Sequence, residues 1–466
     1  MINTRRNFIR TAAGATAAAA LRPGQVNAAA GPPNIIFVLT DDLGWGDLGC
    51  YGNRNIHTPN LDGLAQQGTR FKQFYTSSAV CSPSRASFLT GMFTARHGVY
   101  SHLRELASSR SRGLPDFLNP QLPLLPKILQ KAGYATAHYG KWHLTASNDT
   151  AAPRPPAYGF DEHKVVVDNG DGLQRMPLGT PGWNVWKEAM PGTNWHDFKS
   201  RSSELVIDET IRFAERNRTR PFYINSWLFD PHAQLTPTAK QMAPYQSWGS
   251  PFRTYYGTVT NLDAQIGRLL RKLDDLGVAD HTIVLFSSDN GPEDIHVDNA
   301  QEHGVGDPGP VRGRKRSGYE GGIRLPLIVR WPGHVPAGRY DTETIFGAVD
   351  FLPTLCRVAN ANAPPDAEVD GLDMTAALAG KTVERTRPLY WDLRENNVGD
   401  FINQSPKLVI RDGPWKLLMN NDGTGIELYD IAANPLEVDN LADTHTAVAA
   451  RLSRKLIEWK RDPSTR

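Results

Sequence analysis

Cys81 lies in a segment whose residue types could perform nucleophilic chemistry. Residues 81–85 read Cys-Ser-Pro-Ser-Arg, and they predict the start of a short helix because Pro83 suits the first turn and Gly91 suits the helix end. The free amides of that turn, with Arg85 one turn further on, favour an anionic group beside the thiol. The thiol could therefore be a thiolate nucleophile, or it could be a buried structural cysteine.

Four groups of polar residues directly follow apolar stretches that we predict to be strands. In open α/β sheets, ligands bind at the carboxyl ends of the strands. Groups that share this edge therefore predict a common pocket, although each group alone could consist of turn residues, an exposed lysine or a hydrogen-bonded histidine. The four groups are Asp41 with Asp42, Lys141 with His143, His232, and Asp289 with Asn290.

The oxygen donors among these residues predict a site for a hard divalent cation. Asp41, Asp42, Asp289 and Asn290 offer carboxylate and amide oxygens and no soft donor. Such a set suits Ca²⁺ before Mg²⁺, because several protein ligands replace water. A cation beside Cys81 would polarise a nucleophile and neutralise an oxyanion.

Two lysines and a histidine could act on an anionic substrate. Lys141 and His143 are two residues apart, so both point the same way in an extended segment. His143 could act on a proton while Lys141 pairs with an anion. Lys315 lies in the basic run 312–316, for which solvation is the ordinary outcome.

Buried strands that alternate with amphipathic helices must position these side chains. The continuous apolar run 34–39 is typical of a parallel strand covered on both faces, and we predict further buried strands at 221–229 and 282–286. The alternation predicts an α/β fold, with a large, mostly parallel sheet flanked by helices on both faces. After about residue 383, short strands separated by turns and a helix at 447–459 predict a smaller C-terminal antiparallel sheet plus helix.

The segment 146–200 differs in composition from the rest of the chain. It is rich in Gly, Pro, Asn and Trp and shows little periodicity, which predicts a long loop that shapes a binding site over one end of the sheet. Its tryptophans could stack on sugar rings, or they could only fasten the loop to the protein. They are Trp183, Trp186 and Trp195.

The first 30 residues have the composition of an export signal. Arg5, Arg6 and Phe8 precede an alanine-rich run and small residues up to Ala30, which predicts a twin-arginine signal peptide cleaved near that point. The run is too short and too rich in alanine for a membrane span, and a basic amphipathic helix is the alternative. We therefore expect a periplasmic or secreted protein, with a signal peptide at 1–30, a catalytic domain at 31–383 and a C-terminal subdomain at 384–466.

Length, charge and cysteine content set further limits. A chain of 466 residues with 40% hydrophobic and 21% charged residues is typical of a globular protein of two domains. Residues 1–30 hold four arginines and no acid, so their removal changes the formal charge from +2 to −2. This balance argues against a general nucleic-acid or membrane-surface binder. Of the three cysteines, Cys50 and Cys356 could pair if Cys81 is modified, and their pairing stays open.

Taken together, these motifs resemble the type I sulfatases, the formylglycine-dependent family of the alkaline-phosphatase-like superfamily. Residues 81–85 match the signature Cys-x-Pro-x-Arg, and residues 140–143, Gly-Lys-Trp-His, match the second signature. The likeness is to arylsulfatases and to carbohydrate sulfatases of the N-acetylgalactosamine-6-sulfatase kind. It covers essentially the whole mature chain, through the further segments 34–47, 289–291, 315–322 and 428–441.

The resemblance implies a nucleophile and a metal site. A formylglycine-generating maturation enzyme would oxidise Cys81, and the hydrated aldehyde, held by Arg85, would be the nucleophile. The implied cofactor is Ca²⁺. Its ligands would be Asp41, Asp42, residue 81 as formylglycine, Asp289 and Asn290.

The resemblance also assigns the substrate contacts and the proton transfers. Lys141 and Lys315 would bind the sulfate oxygens. His232 would protonate the leaving oxygen, and His143 would orient or deprotonate the remaining hydroxyl of the hydrated aldehyde. The match at His232 is weaker than the others, because family members commonly have proline two residues later and here the next proline is Pro237.

The implied function is hydrolysis of sulfate monoesters, with a sulfated carbohydrate favoured over a small aryl sulfate. The partners would be that substrate, the maturation enzyme and the twin-arginine export machinery, with no nucleic acid and no stable membrane insertion. Two alternatives stay open: a phosphate or phosphonate ester hydrolase of the same superfamily, and an inactive, exported glycan-binding relative.

Overall fold

An eight-stranded sheet is the centre of the computed structural model, which describes residues 31–167, 195–297, 300–362, 364–365, 368–395 and 398–462. The strand order is β4-β3-β5-β1-β6-β7-β2-β8. The strands are β1 Asn34–Thr40, β2 Thr69–Tyr75, β3 Ala135–Lys141, β4 Glu162–Val166, β5 Phe222–Trp227, β6 Thr282–Ser288, β7 Arg324–Arg330 and β8 Arg339–Gly347.

The pairing directions confirm a mostly parallel sheet. Strand β1 pairs in parallel with β5 and β6, and β3 pairs in parallel with β4 and β5. Strand β7 runs antiparallel to both of its neighbours, β6 and β2, whereas β2 and β8 are parallel. The carboxyl ends of the four adjacent strands β3, β5, β1 and β6 therefore meet at one edge, and β7 begins at that edge.

Helices cover both faces of this sheet. Ile35, Phe37 and Leu39 of β1 belong to one buried cluster, whereas Ile36 and Val38 belong to another on the opposite face. This explains the continuous apolar run of β1, because a strand buried on both faces has no polar side. The helices are α1 Pro59–Gln66, α2 Cys81–Thr90, α3 Thr94–His97, α4 Leu106–Ser111, α5 Leu125–Lys131, α6 Trp195–Arg216, α7 Ala239–Met242, α8 Phe252–Asp275, α9 Glu320–Ile323, α10 Phe351–Val358, α11 Thr375–Leu378 and α12 Thr446–Arg461.

Helix α2 begins at Cys81 and ends before Gly91, as the sequence predicts. Val80 is extended, and Gly91 takes the left-handed conformation with φ 66°. Every residue of the helix is buried, so the Cys81 side chain is presented inside the protein and not on its surface. The helix is therefore held by its surroundings on all sides.

A four-stranded antiparallel sheet in the order β12-β11-β10-β9 forms the C-terminal part, as predicted. With α12 it shares a buried cluster with Tyr75 and Ala79, just before Cys81. Trp391 donates a hydrogen bond to the Thr76 carbonyl oxygen (2.8 Å), so the small sheet supports the loop that leads into α2. The domain boundary at 383 stays a prediction. The strands are β9 Leu389–Asp392, β10 Leu408–Asp412, β11 Trp415–Met419 and β12 Glu427–Asp430.

Part of the predicted loop at 146–200 is regular structure, so the prediction is wrong there. Strand β4 lies inside it, and helix α6 begins at Trp195. Among the described strands, β4 pairs only with β3, at the sheet edge, and its Glu-His-Lys-Val-Val sequence has no continuous apolar run. Trp183 and Trp186 lie outside the described residues.

Two further properties concern the described part of the chain. None of its helices is both long enough and apolar enough to cross a bilayer. Cys50, Cys81 and Cys356 are free thiols, so the possible Cys50–Cys356 disulfide does not form.

Gly140 provides a test of how β3 is held beside β5. Its φ is 109°, and a Cβ at this position would overlap the Trp227 carbonyl oxygen. Gly133 also has positive φ, 92°, but a Cβ there meets nothing within 4 Å. We expect Gly133→Ala to lower the free energy of unfolding by about 1–2 kcal/mol. We expect Gly140→Ala to lower it by about 1–3 kcal/mol more, through overpacking.

Urea unfolding of both variants measures this difference. Equal losses for the two variants would mean that β3 can move away from β5 without penalty, and would contradict the close packing at Gly140.

Candidate active site

The register of the sheet brings the acidic groups together. Thr40 of β1 lies opposite Ser288 of β6, so Asp41 and Asp289 begin neighbouring loops. The Asp289 amide donates to the Thr40 carbonyl oxygen (3.2 Å). Asp42 has φ 66°, a left-handed conformation that aspartate tolerates better than most residues. The edge predicted from the strand pattern is therefore where these carboxylates meet.

Three carboxylates, one thiol and one amide form a buried cluster. Asp41, Asp42, Cys81 and Asp289 each offer an atom within 4.8 Å of the others, and all four are fully buried. Asn290 Nδ2 donates to Asp42 Oδ1 (2.7 Å). The Asn290 Oδ1 atom is buried and accepts no hydrogen bond from the described residues. A hard cation with oxygen ligands fits this donor set, because it would also satisfy that oxygen.

Three buried cations balance the three carboxylates. Arg85 donates to Asp289 Oδ2 through Nη2 (2.7 Å) and Nε (2.9 Å), and its Nη2 lies 3.5 Å from Asp41 Oδ1. Lys141 Nζ donates to Asp41 Oδ2 (2.8 Å). Lys315 Nζ donates to Asp42 Oδ2 (2.6 Å). All of these side chains are at most 1% exposed.

The charges shift the pKa values of the carboxyl groups in different directions. Burial raises the pKa of Asp41, but Lys141, with His232 and Arg85, outweighs burial and holds it well below its usual range. Burial likewise opposes Lys315 at Asp42, whose pKa is lowered. At Asp289, burial together with the neighbouring Asp41 outweighs Arg85 and raises the pKa to about 7. The cluster therefore concentrates negative charge at Asp41 and Asp42.

Cys81 is a neutral thiol in this environment. Its Sγ donates to Asp41 Oδ1 (3.4 Å). Burial, together with the nearby Asp289, raises the pKa of the thiol well above its usual value. The helix start and Arg85 do not offset this effect, because Arg85 is engaged by Asp289. These contacts argue against the thiolate interpretation of Cys81.

The two predicted histidines follow the neighbouring strands β3 and β5. His143 follows β3 with φ 52°, and its amide donates to the Val167 carbonyl oxygen (2.6 Å). His232 follows β5. Its Nδ1 is 2.9 Å from the Ala233 carbonyl oxygen, and its Nε2 is 3.6 Å from Asp42 Oδ2. Burial lowers the pKa of His232 to about 3, and Lys315 contributes to this shift while Asp42 opposes it.

Several residues that the sequence analysis did not select also lie at the site. Glu293 is buried, with Oε2 3.8 Å from Lys315 Nζ and 3.7 Å from His303 Nε2, and it pairs with Arg316. Glu293 lies three residues after Asn290, and this proximity in sequence could have identified it as a site residue. His303 lies in a segment without periodicity, so no pattern pointed to it.

A second pair of missed residues connects the site to the C-terminal part of the chain. His102 Nδ1 lies 2.9 Å from Glu395 Oε1, and the His102 ring stacks at 5.9 Å from the His143 ring. Glu395 follows β9, far away in sequence. Only the folded chain brings these three side chains together.

The basic run 312–316 is not a solvated stretch. Arg314 Nη1 donates to the carbonyl oxygens of Glu293 (2.9 Å), Gly304 (3.2 Å) and Gly306 (2.8 Å). The Arg312 guanidinium lies over the Tyr319 ring at 3.9 Å. Arg316 pairs with Glu293. The arginines of this run therefore fasten loops around Lys315.

Comparison with known proteins identifies the family. The Sulfatase family model matches residues 33–361, which is more than half of the chain. The chain belongs to the sulfatase family. A second model, for the C-terminal region of N-sulphoglucosamine sulphohydrolase, matches residues 313–462. Because members of the family are sulfuric ester hydrolases, the chain is an enzyme of this class.

Curated relatives support the assignment. N-acetylgalactosamine-6-sulfatase of Sus scrofa is 35% identical over 390 residues, which cover 78% of this chain and 69% of that protein. Arylsulfatase A of Homo sapiens is 33% identical over 383 residues, which cover 78% of this chain and 71% of that protein.

Solved structures share the fold. The structure of Ps i-CgsB has a TM-score of 0.77 at 26% identity and covers 93% of this chain and 94% of its own. A protein in complex with its substrate D-glucosamine-2-N,6-O-disulfate has a TM-score of 0.65 at 24% identity and covers 93% of this chain and 99% of its own. The second likeness shows the fold alone. The predicted alkaline-phosphatase-like α/β fold is confirmed.

Arg85 tests the charge balance of the sulfatase site. Arg85→Met would leave Asp289 and Asp41 buried without their shared cation. We expect the unmatured protein to lose about 3–5 kcal/mol in the free energy of unfolding, as for other broken buried ion pairs. Arg110→Met is the matched control, because Arg110 pairs with Asp116 while its side chain is 64% exposed, and its stability should match that of the parent protein.

Urea unfolding in the presence of a metal chelator measures the free energy of unfolding of both variants. Equal stabilities of the two variants would mean that Asp289 and Asp41 do not need Arg85 in the folded state.

Proposed function

We propose that this sulfatase hydrolyses sulfate monoesters of carbohydrates, with formylglycine at position 81 as nucleophile and Ca²⁺ as cofactor. The observation that carries the proposal is the position of Cys81. It begins a fully buried helix, carries the family signature, and has Asp41, Asp42 and Asp289 around it. A neutral thiol in that position is a poor nucleophile. Conversion of the side chain to formylglycine would supply the nucleophile that the thiol does not.

Hydrated formylglycine would supply one hydroxyl that attacks sulfur and a second whose deprotonation allows sulfate to leave. A cysteine has no second hydroxyl and could not release sulfate in this way. Ca²⁺, when bound by Asp41, Asp42, Asp289 and Asn290, would polarise a sulfate oxygen and the hydroxyl at position 81. The Asn290 Oδ1 atom accepts no hydrogen bond within the described part of the chain, which supports the inclusion of Asn290 among the ligands.

The lysines are the proposed sulfate ligands. Lys141 and Lys315 approach the cluster from different sides, because one donates to Asp41 and the other to Asp42. Their ammonium groups could hold sulfate oxygens between them. Such loose group transfer depends on positioning and charge neutralisation more than on covalent assistance. Arg85 would keep residue 81 in place, since its guanidinium is fixed by Asp289.

The histidines are the proposed proton carriers. His232 Nδ1 lies against a carbonyl oxygen, which only accepts, so Nδ1 carries a hydrogen and Nε2 is left to exchange a proton with the leaving oxygen. The ring is neutral without a ligand because burial lowers its pKa. A bound sulfate would favour the imidazolium. His143 would act on the remaining hydroxyl at position 81.

The carbohydrate assignment rests on the relatives. N-acetylgalactosamine-6-sulfatases are among the proteins to which the chain is similar. The arginines at 312–316 have partners within the protein, so a polysaccharide would have to be recognised by other residues. The tryptophan-rich segment stays a candidate, and of its three tryptophans Trp183 and Trp186 lie outside the described residues.

We further propose that residues 1–30 are a twin-arginine signal peptide and that the mature protein is periplasmic or secreted. Export through that machinery carries folded protein, which would suit maturation of Cys81 before export. The proposed partners are accordingly the maturation enzyme and the export machinery. We also propose a catalytic domain at 31–383 and a C-terminal subdomain at 384–466.

A further activity of this sulfatase on phosphonate or phosphate esters is the second candidate. The phosphonate monoester hydrolase of Agrobacterium radiobacter has a TM-score of 0.64 at 22% identity and covers 91% of this chain and 95% of its own, so it shares the fold. Sulfate and phosphate esters of one aryl alcohol separate the two activities.

Peptide mass spectrometry across residue 81 tests the nucleophile. We expect formylglycine in protein produced with a maturation enzyme, and we expect sulfate release from sulfated oligosaccharides and from 4-nitrophenyl sulfate. Cys81→Ser should keep the fold and lose turnover by at least about 10³-fold, because the hydroxyl is not activated as a hydrated aldehyde. A serine variant with full activity would exclude formylglycine. Faster cleavage of 4-nitrophenyl phosphate than of the sulfate would favour the second candidate.

Calorimetric titration with Ca²⁺ tests the metal site. Asp289→Asn keeps the side-chain shape and removes one negative charge, so we expect at least about tenfold weaker binding, equal to about 1.4 kcal/mol. Asp280→Asn is the matched control. It is exposed and lies just before β6, at the end opposite Asp289. Unchanged affinity in Asp289→Asn would remove this residue from the metal site.

A further inference from the structure

His303 stacks directly on the proposed leaving-group acid. Its ring centroid lies 5.3 Å from that of His232, and the two ring planes differ by 20°. His303 comes from the turn Gln301–Val305, in the loop between β6 and Lys315. It is 4% exposed. The two rings therefore meet inside the protein, face to face, although they lie 71 positions apart in sequence.

The loop that carries His303 is held by hydrogen bonds from Arg314. Arg314 donates to three of its carbonyl oxygens, at Glu293, Gly304 and Gly306. The His303 ring edge faces two carboxylates, with Nε2 3.7 Å from Glu293 Oε2 and 3.9 Å from Asp42 Oδ2. The ring is thus buried beside these side chains, and Arg314 holds the backbone of the loop that carries it.

His232 has few restraints besides this stack. Its Nδ1 contacts the carbonyl oxygen of the next residue, Ala233, and its side chain is 22% exposed. Among the described residues the ring has this one hydrogen bond, and its Nε2 lies 3.6 Å from Asp42 Oδ2, so the ring can still tilt about the Nδ1 contact. The plane of a fixed neighbouring ring restricts such tilting, because stacked rings lose contact when one of them rotates.

We propose that His303 is a positioning residue that keeps the His232 ring oriented for proton transfer to the leaving oxygen. The inference rests on the proposed function, in which the bond between sulfur and the leaving oxygen breaks. The electron pair of that bond stays on the oxygen, which takes the proton from His232 Nε2. His303 touches neither the oxygen nor the sulfur. It acts through the orientation of His232, and Arg314 holds the loop that carries it.

The dependence on the leaving group distinguishes this role from a structural one. The 4-nitrophenolate anion leaves easily without a proton, whereas the phenolate of phenyl sulfate is a stronger base and needs general acid help. His303→Ala, in matured enzyme, should therefore lose at least about tenfold more kcat/KM on phenyl sulfate than on 4-nitrophenyl sulfate. His232→Ala should show the same bias more strongly, since general acids contribute about 10²–10⁴-fold.

Two further variants sharpen the comparison. His303→Phe keeps a stacking plane and should recover part of the loss on phenyl sulfate. His281→Ala is the control. His281 lies just before β6, at the end opposite the site, and both substrates should be cleaved as by the parent enzyme.

Crystal structures of the Cys81→Ser protein, with and without His303→Ala, give a readout that needs no activity. We expect one orientation of the His232 ring with His303 present and more than one without it. Equal losses on the two aryl sulfates, with an unchanged His232 ring, would overturn the proposal. If His232→Ala shows no leaving-group bias, the proposed acid is wrong, and the crystal structures still decide whether His303 orients the ring.

Discussion

The structure depends on a buried balance of charge at one edge of its sheet. Asp41, Asp42 and Asp289 are removed from water, and each is met by a buried cation: Lys141, Lys315 and Arg85 respectively. Isolated charges in such a place would be very unfavourable. The loops that bring the cations must therefore be positioned accurately, because an unpaired member would destabilise the fold and disable the site together.

The sheet topology supplies that accuracy. Four neighbouring strands, β3, β5, β1 and β6, deliver Lys141, His232, Asp41 and Asp289 to the same edge. The antiparallel β7 begins at that edge, so the preceding loop can bring Lys315. The small sheet contributes from outside, through Trp391 at the loop before Cys81 and Glu395 at His102. Residues that are distant in sequence thus converge because rigid elements end where they do.

The sequence could predict the parts of this arrangement that repeat a local pattern. Continuous apolar runs predicted β1, β5 and β6, and the polar residues after them predicted the edge where the site lies. Strand β4 was missed because an edge strand with polar residues has no such run. Glu293, His303 and Glu395 were missed because their places depend on loops and on contacts between distant parts of the chain. The basic run was misread because charge alone does not tell a solvated arginine from Arg314, which donates to three carbonyl oxygens.

The same charge balance explains why a cation and an anionic substrate would favour one another here. Without a bound cation, the ammonium groups of Lys141 and Lys315 form ion pairs with Asp41 and Asp42. With a divalent cation among those carboxylates, both ammonium groups would have charge left over for sulfate. Sulfate would in turn favour protonation of His232, whose ring burial keeps neutral. The acid would then form only when a substrate is bound, and a ring already oriented by His303 would have only to receive its proton.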